Sequence, residues 1–373
     1  MAISVIDPNS LMMRFISRLK NGLSRGPSEK ERNKALAFAR DQFHVGYFDD
    51  HQSLVESTKL KSYVERSSED FLILASQAHQ DGDTLKTLEF TFAGLAKDPK
   101  DKRVKASLIN RLGTALRSGG ANKLALESFD RSISLDPNNP DPLFHIGELY
   151  YEQGSFEEAE TKLMDAVQID PMNPEYHFHL GRIMLAREFY DRADTELQEA
   201  VRLDPSRIDI WMCLSRVYIE QKKYHRALKP LERALELAPN APKPHIQMGR
   251  VQVKLKNTAV AEEHFKEAKQ LDSQNPEICN LLGDIYFNQK RFFEAETEYL
   301  QAVNLDPKYA SAQKNLGHVY FAQERYEDAQ KYFQESIRLD PASTVPLIKI
   351  RIQPPLEAQP ISNPHPATGS SGS

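Results

Sequence analysis

The chain has 373 residues, 27% of them charged, and a formal net charge of −5, which excludes nucleic acid as the expected partner because phosphate binding calls for a clustered cationic surface. No run approaches the ~18 apolar residues of a membrane span, and the N-terminus lacks the apolar core and small-residue cleavage site of a secretory signal. The two cysteines, Cys213 and Cys279, form no C-x-x-C pair and read as buried, reduced thiols, so the expected location is cytoplasmic.

Residues 1–27 open with "ISVIDPN", a short strand ending in Asp7, and continue into "SLMMRFISRLKNGL". The second stretch predicts an amphipathic helix with Leu11, Met12, Phe15, Ile16 and Leu19 on one face. Capping of the first repeat is its leading role. Membrane contact, through residues 9–23 only, is the alternative. Residues 28–67 read as a degenerate helical hairpin with Gly46 at its turn.

From 68 to 343 the chain repeats itself. Pro137, Pro171, Pro205, Pro239, Pro307 and Pro341 lie on one grid with a spacing of 34 residues, and Ser273 fills the empty slot. In each period an apolar residue precedes a small one: Ile146-Gly147, Leu180-Gly181, Leu214-Ser215, Met248-Gly249, Leu282-Gly283 and Leu316-Gly317. An alanine follows later in each period, at Ala159, Ala193, Ala227, Ala261, Ala295 and Ala329. Apolar spacings of 3, 4 and 7 predict two amphipathic helices per period, split near Gly154, Glu188, Lys222 and Lys256. The small residues let two helix backbones approach, and the proline stops the second helix. Repeats start near 68, 106, 140, 174, 208, 242, 276 and 310, with four extra residues within "DPKDKRVK" after the first.

Residues 344–373 contain "VPLIKIRIQ", whose alternation favours a short strand. That strand is expected to cover the last repeat, pair with another copy or add to a partner's sheet edge. The rest is a Pro-rich tail ending in "GSSGS", which reads as an expression linker.

Catalytic spacing is absent: there is no G-x-S-x-G, no G-x-x-x-x-G-K-[ST], no G-x-G-x-x-G and no H-E-x-x-H. His177 and His179 are two apart on a helix and do not face each other. Two isolated thiols cannot make a structural zinc site. No enzyme activity, catalytic residue, cofactor or metal is expected.

The recurring pattern W-x2-L-G-x2-Y…A-x3-F…P resembles the tetratricopeptide-repeat (TPR) signature. Its fullest match is Trp211, Leu214, Ser215, Tyr218, Ala227, Leu231 and Pro239. The resemblance implies an all-α fold, a right-handed superhelical solenoid of about eight TPR helix-turn-helix repeats. It also implies that the first helices line a concave groove for partner segments. Carried onto this chain, the groove positions hold Arg182, Arg216 and Arg250 in one row. Phe144, Phe178, Met212 and Ile246 form a second row, and Tyr151, Leu185, Ile219 and Val253 a third. An arginine ladder beside an apolar floor suits a protein partner with acidic and apolar side chains. The bland alternative pairs the arginines with Glu148, Glu175, Asp209 and Glu220. The expected function is a non-catalytic scaffold or adaptor. Its near-regular "LDP" endings resemble bacterial arrays that serve assembly of surface or secretion machines. Competing expectations are a self-assembling structural protein, joined through its C-terminal end, and a regulatory part of a larger enzyme or complex.

Overall fold

The computed structural model describes residues 66–342. What the sequence suggests for residues 1–27, nearly all of 28–67, and 344–373 lies outside the described residues. The chain divides into two compact units, Met1–Leu237 and Ala238–Ser373. The described part of the first holds five helical hairpins: α1–α2 (Ser68–Gln80, Thr84–Ala96), α3–α4 (Lys102–Ser118, Asn122–Leu135), α5–α6 (Asp141–Glu152, Phe156–Ile169), α7–α8 (Pro174–Ala186, Tyr190–Leu203) and α9–α10 (Ile208–Glu220, Tyr224–Leu237). The second holds three: α11–α12 (Pro242–Lys254, Thr258–Leu271), α13–α14 (Pro276–Asn288, Phe292–Leu305) and α15–α16 (Ala310–Ala322, Tyr326–Leu339). The fold is all-α, as the periodicity requires, with two helices per period.

The second helices α4, α6, α8, α14 and α16 end at an Asp-Pro step. Proline pushes the preceding residue out of the helical region, and Asp136, Asp170, Asp204, Asp306 and Asp340 all have φ between −139 and −131. The displaced carboxylate then accepts from the backbone two residues on. Asp204 Oδ1 takes the Ser206 N–H at 3.0 Å, and Asp306 Oδ1 takes that of Lys308 at 2.9 Å. A second clamp closes the same turn. Trp211 donates Nε1–H to the Pro205 carbonyl at 2.9 Å and Gln313 donates Nε2–H to that of Pro307 at 3.1 Å. His177 and His245 occupy the equivalent place, with Nε2 3.0 Å from the Pro171 oxygen and 3.2 Å from the Pro239 oxygen. Three residue types share one property there, an N–H at the tip of a side chain.

Within a hairpin the chain reverses through a residue in the left-handed region. Gly154 does so at φ 78, and Glu188, Lys222, Lys256, Lys290 and Glu324 at φ 58 to 64. Gly154, Glu188, Lys222 and Lys256 are the split positions the sequence marks, and Lys290 and Glu324 continue the series. The small residue of each first helix has a sharper role than close backbone approach. A Cβ on Gly113 would lie 2.4 Å from Phe129 Cε1, and one on Gly249 would lie 2.4 Å from Phe265 Cε1. The glycine makes room for a large side chain from the second helix, a ring in these two hairpins and Leu163 or Leu197 opposite Gly147 or Gly181.

The four extra residues after the first repeat lengthen a helix. α3 starts at Lys102 and runs 17 residues, against 13 for α7. Asp101 caps this added turn, its Oδ1 accepting from Arg103 N at 2.8 Å. The core lies between consecutive hairpins. In the second unit Phe265, Leu282, Tyr286, Tyr299, Leu316 and Phe333 pack together, and each such large side chain contributes ~1.5–3 kcal/mol on burial. Among the described residues no helix is long and apolar enough to cross a membrane.

Candidate functional site

In the first unit, the first helices α3, α5, α7 and α9 meet through a line of charged side chains. Arg117 of α3 bonds Glu148 and, at 2.6 Å, Glu152 of α5. His145 Nδ1 lies 3.3 Å from the same Glu148 carboxylate, and His179 of α7 lies 3.9 Å from its other oxygen. His179 Nε2 lies 3.2 Å from Glu175. Arg207, just before α9, bonds Glu175 and also Asp209 at 2.5 Å. Burial raises the Glu148 carboxyl, but hydrogen bonds from His145 and Arg117 win and hold it at about 2. The bond to His179 holds Glu175 low against its burial, and Arg207 adds to it.

Arg182 stands outside this line. Its guanidinium stacks over Tyr151, 4.9 Å from the ring centroid, and over Phe178 at 5.6 Å. Arg207 lies 5.0 Å from the same Phe178 ring. Among the described residues Arg182 makes no ion pair, and Glu148, Glu175 and Asp209, the acids expected to pair with the arginine row, bond Arg117 and Arg207 instead. Arg216 is the open one: its side chain is 70% exposed, and Glu220, its nearest carboxylate, is 3.9 Å away. Between these arginines sits Cys213, whose thiol is pushed up to about 11 by burial in spite of Arg182 and Arg216. It carries no thiolate at neutral pH.

The expected apolar floor of this unit is mostly packed away. Phe178 and Leu185 are only 7% and 8% exposed. Phe144 touches His145, Tyr176 and His179, with ring centroids 5.3, 5.3 and 4.9 Å away. Tyr151 carries Arg182 and abuts Phe156. Met212 and Ile219, on either side of Arg216 on α9, are half-buried.

In the second unit Arg250 of α11 is bonded to Glu277 of α13, and Ile246 is buried. Val253 is exposed on α11 and Phe321 on α15, with Phe287 half-buried on α13. Asp284 anchors this face. It accepts from Tyr299 Oη at 2.7 Å and from Asn315 Nδ2 at 3.0 Å, and the same amide reaches Asn280 Oδ1 at 3.0 Å. Burial raises the Asp284 carboxyl, opposed by the Tyr299 bond and the charge of Lys314. Lys243, Lys254 and Lys314 make no ion pair among the described residues. The three arginines expected to act alike are thus stacked, open and paired. Arg117 and Arg207 were not among the expected site residues. The acids at Glu148, Glu175 and Asp209 were the signal for them, since each needs a cation nearby.

A family model described as tetratricopeptide repeat matches residues 178–242 and another of that description matches 276–342. A TPR repeat model matches 113–154 and 147–187. Together these span more than half of the chain. No curated protein matches it. Among solved structures, the C-terminal part of a TPR repeat-containing protein from Cytophaga hutchinsonii is similar over 62% of this chain and 96% of its own, at 16% identity and a TM-score of 0.53. PilF of Pseudomonas aeruginosa is 23% identical over 55% of this chain and 93% of its own, at a TM-score of 0.48. YrrB, described as a TPR protein with an unusual peptide-binding site, is 22% identical over 48% of this chain and 93% of its own, at a TM-score of 0.41. At 16% identity the likeness to the Cytophaga hutchinsonii protein is one of fold.

Proposed function

The chain belongs to the tetratricopeptide-repeat family, and on that premise we propose that it is a non-catalytic scaffold whose first-helix faces bind a partner segment carrying acidic and apolar side chains. The observation that carries this reading is Arg216. It is exposed between Met212 and Ile219, and among the described residues its one ion-pair carboxylate, Glu220, is 3.9 Å away. Such a surface pair contributes ~0–1 kcal/mol. A charge-assisted bond to a partner's carboxylate, shielded from water, contributes ~1.5–3 kcal/mol, so exchanging one for the other favours binding. On the second unit Lys243, Lys254 and Lys314 supply cations that make no ion pair among the described residues, on the helices that carry exposed Val253 and Phe321.

Arg182 and Arg250 take lesser roles in this reading. Arg182 is committed to two aromatic rings, and Arg250 to Glu277. A setting in assembly of a bacterial surface or secretion machine belongs to the proposal and rests on the Leu-Asp-Pro endings alone. The test is a pull-down from native lysate with the wild-type protein, Arg216→Glu and Arg182→Gln, each checked for helix content by circular dichroism. We expect Arg216→Glu to lose a partner at least tenfold, a cost of ~1.4 kcal/mol, while Arg182→Gln keeps it. Full retention by folded Arg216→Glu would discard the groove reading for the first unit.

A further inference from the structure

In the second unit, His245 on α11 faces His264 on α12. Their Nδ1 atoms are 3.2 Å apart, with ring centroids 5.4 Å apart and planes inclined at 43°. Both rings are half-buried and so reachable from solvent. His245 Nε2 lies 3.2 Å from the carbonyl oxygen of Pro239. That carbonyl can only accept, so the proton of neutral His245 sits on Nε2 and its Nδ1 lone pair is directed at His264.

The same two places are filled differently two repeats earlier. His177 also reaches its grid proline's carbonyl through Nε2, but its Nδ1 meets a carboxylate, Glu196 Oε2, at 2.8 Å. That pair is complete, an imidazolium between two acceptors. In the His245–His264 pair the Nδ1 lone pair of neutral His245 meets Nδ1 of His264, with no carboxylate between them; once His264 carries its proton on Nε2 instead, two lone pairs face one point and a cation there completes the pair. We propose that His245 and His264 form a two-histidine site for a divalent transition-metal ion of the zinc class, held through both Nδ1 atoms, with its remaining positions open to water or to a partner's carboxylate.

The dimensions fit. Two imidazole nitrogens each ~2.0–2.1 Å from a tetrahedral zinc stand ~3.3 Å apart, close to the 3.2 Å found here. A modest turn of the two rings brings both lone pairs onto one ion. Imidazole suits zinc, copper and nickel better than calcium or magnesium. The bond from His245 Nε2–H to a backbone carbonyl is the outer support that metal-bound histidines use to hold tautomer and ring orientation. No group of three or more His, Cys, Asp or Glu is placed to hold a metal among the described residues, so the site is an open, two-ligand one rather than a structural zinc site.

The test is isothermal titration of zinc chloride into the full chain at pH 7.5, after treatment with EDTA and its removal, for the wild type, His245→Gln and His264→Gln. His245→Gln keeps the turn clamp, because Gln313 makes the same bond to Pro307 in its own repeat. We expect one zinc equivalent in the wild type that each variant loses, or binds at least tenfold more weakly, with unchanged helix content. Imidazole proton resonances of two histidines should shift together on zinc addition in the wild type only. Absence of zinc binding in the wild type, or an equal stoichiometry and affinity in both folded variants, would overturn the site.

Discussion

His177 has two acceptors within reach, Glu196 Oε2 at 2.8 Å and the Pro171 carbonyl at 3.0 Å. The Glu196 bond raises its pKa above the usual histidine value, against a penalty from burial and with help from Pro171. His264 goes the other way: burial and the neighbouring His245 lower it, opposed by Glu263 and Glu267. The linkage signs are therefore opposite. The His177 contribution is fully present below the unfolded-state pKa of ~6.5 and is lost as pH rises through its raised folded value. The His264 contribution is present above ~6.5 and is lost as pH falls through its lowered folded value. Urea unfolding from pH 5 to 8 in EDTA should show both. The advantage of the wild type over His177→Gln should shrink as pH rises, and His264→Gln should flatten the acid limb. A parallel offset at every pH for both variants would contradict these assignments. Neither histidine's role is visible from the residue type. Both depend on what the second helix places opposite: a glutamate in one hairpin, a histidine in the other.

At the scale of one hairpin, the structure is a small set of local rules applied repeatedly. The split positions Gly154, Glu188, Lys222 and Lys256 were legible in the sequence, and they are the left-handed turn residues. The Asp-Pro endings were legible for the same reason: proline acts on its immediate neighbour. The clamp by Trp211 on Pro205 was not legible, because Trp211 reads as a large apolar residue of the repeat. Its Nε1–H at 2.9 Å from the carbonyl gives it a polar role as well. Trp211→Phe should lose one hydrogen bond and cost ~1 kcal/mol, and more if the carbonyl stays dry. Trp211→His should recover part of that, since His177 and His245 fill the place elsewhere. Chemical denaturation of the three proteins decides it, and equal stability of Trp211→Phe and wild type would remove the clamp from the argument.

At the scale of the whole molecule, a repeat array is stabilised by intrinsic hairpin energies and by nearest-neighbour interfaces. A defect in one hairpin of a unit should therefore fade with distance along that unit. Gly113→Ala drives a methyl into the Phe129 ring, at 2.4 Å from Cε1, and should cost ~1–3 kcal/mol as overpacking does. Amide hydrogen exchange should show the largest loss of protection in α3 and α4, a smaller one in α5 and α6, and the least in α9 and α10. A uniform loss over α1–α10 would mean that the unit unfolds as one block.

The period, the two helices in it and their turns were written in the sequence, because each depends on residues within about a turn of one another. The fate of the arginines was not. Arg117 finds Glu148 across 31 residues, Arg207 finds Glu175 across 32 and Arg250 finds Glu277 across 27. Only the stacking of one hairpin on the next brings those charges together. That stacking is what left Arg216 open and set Arg182 over Tyr151 as well as Phe178, while packing within one hairpin placed His264 rather than a carboxylate opposite His245.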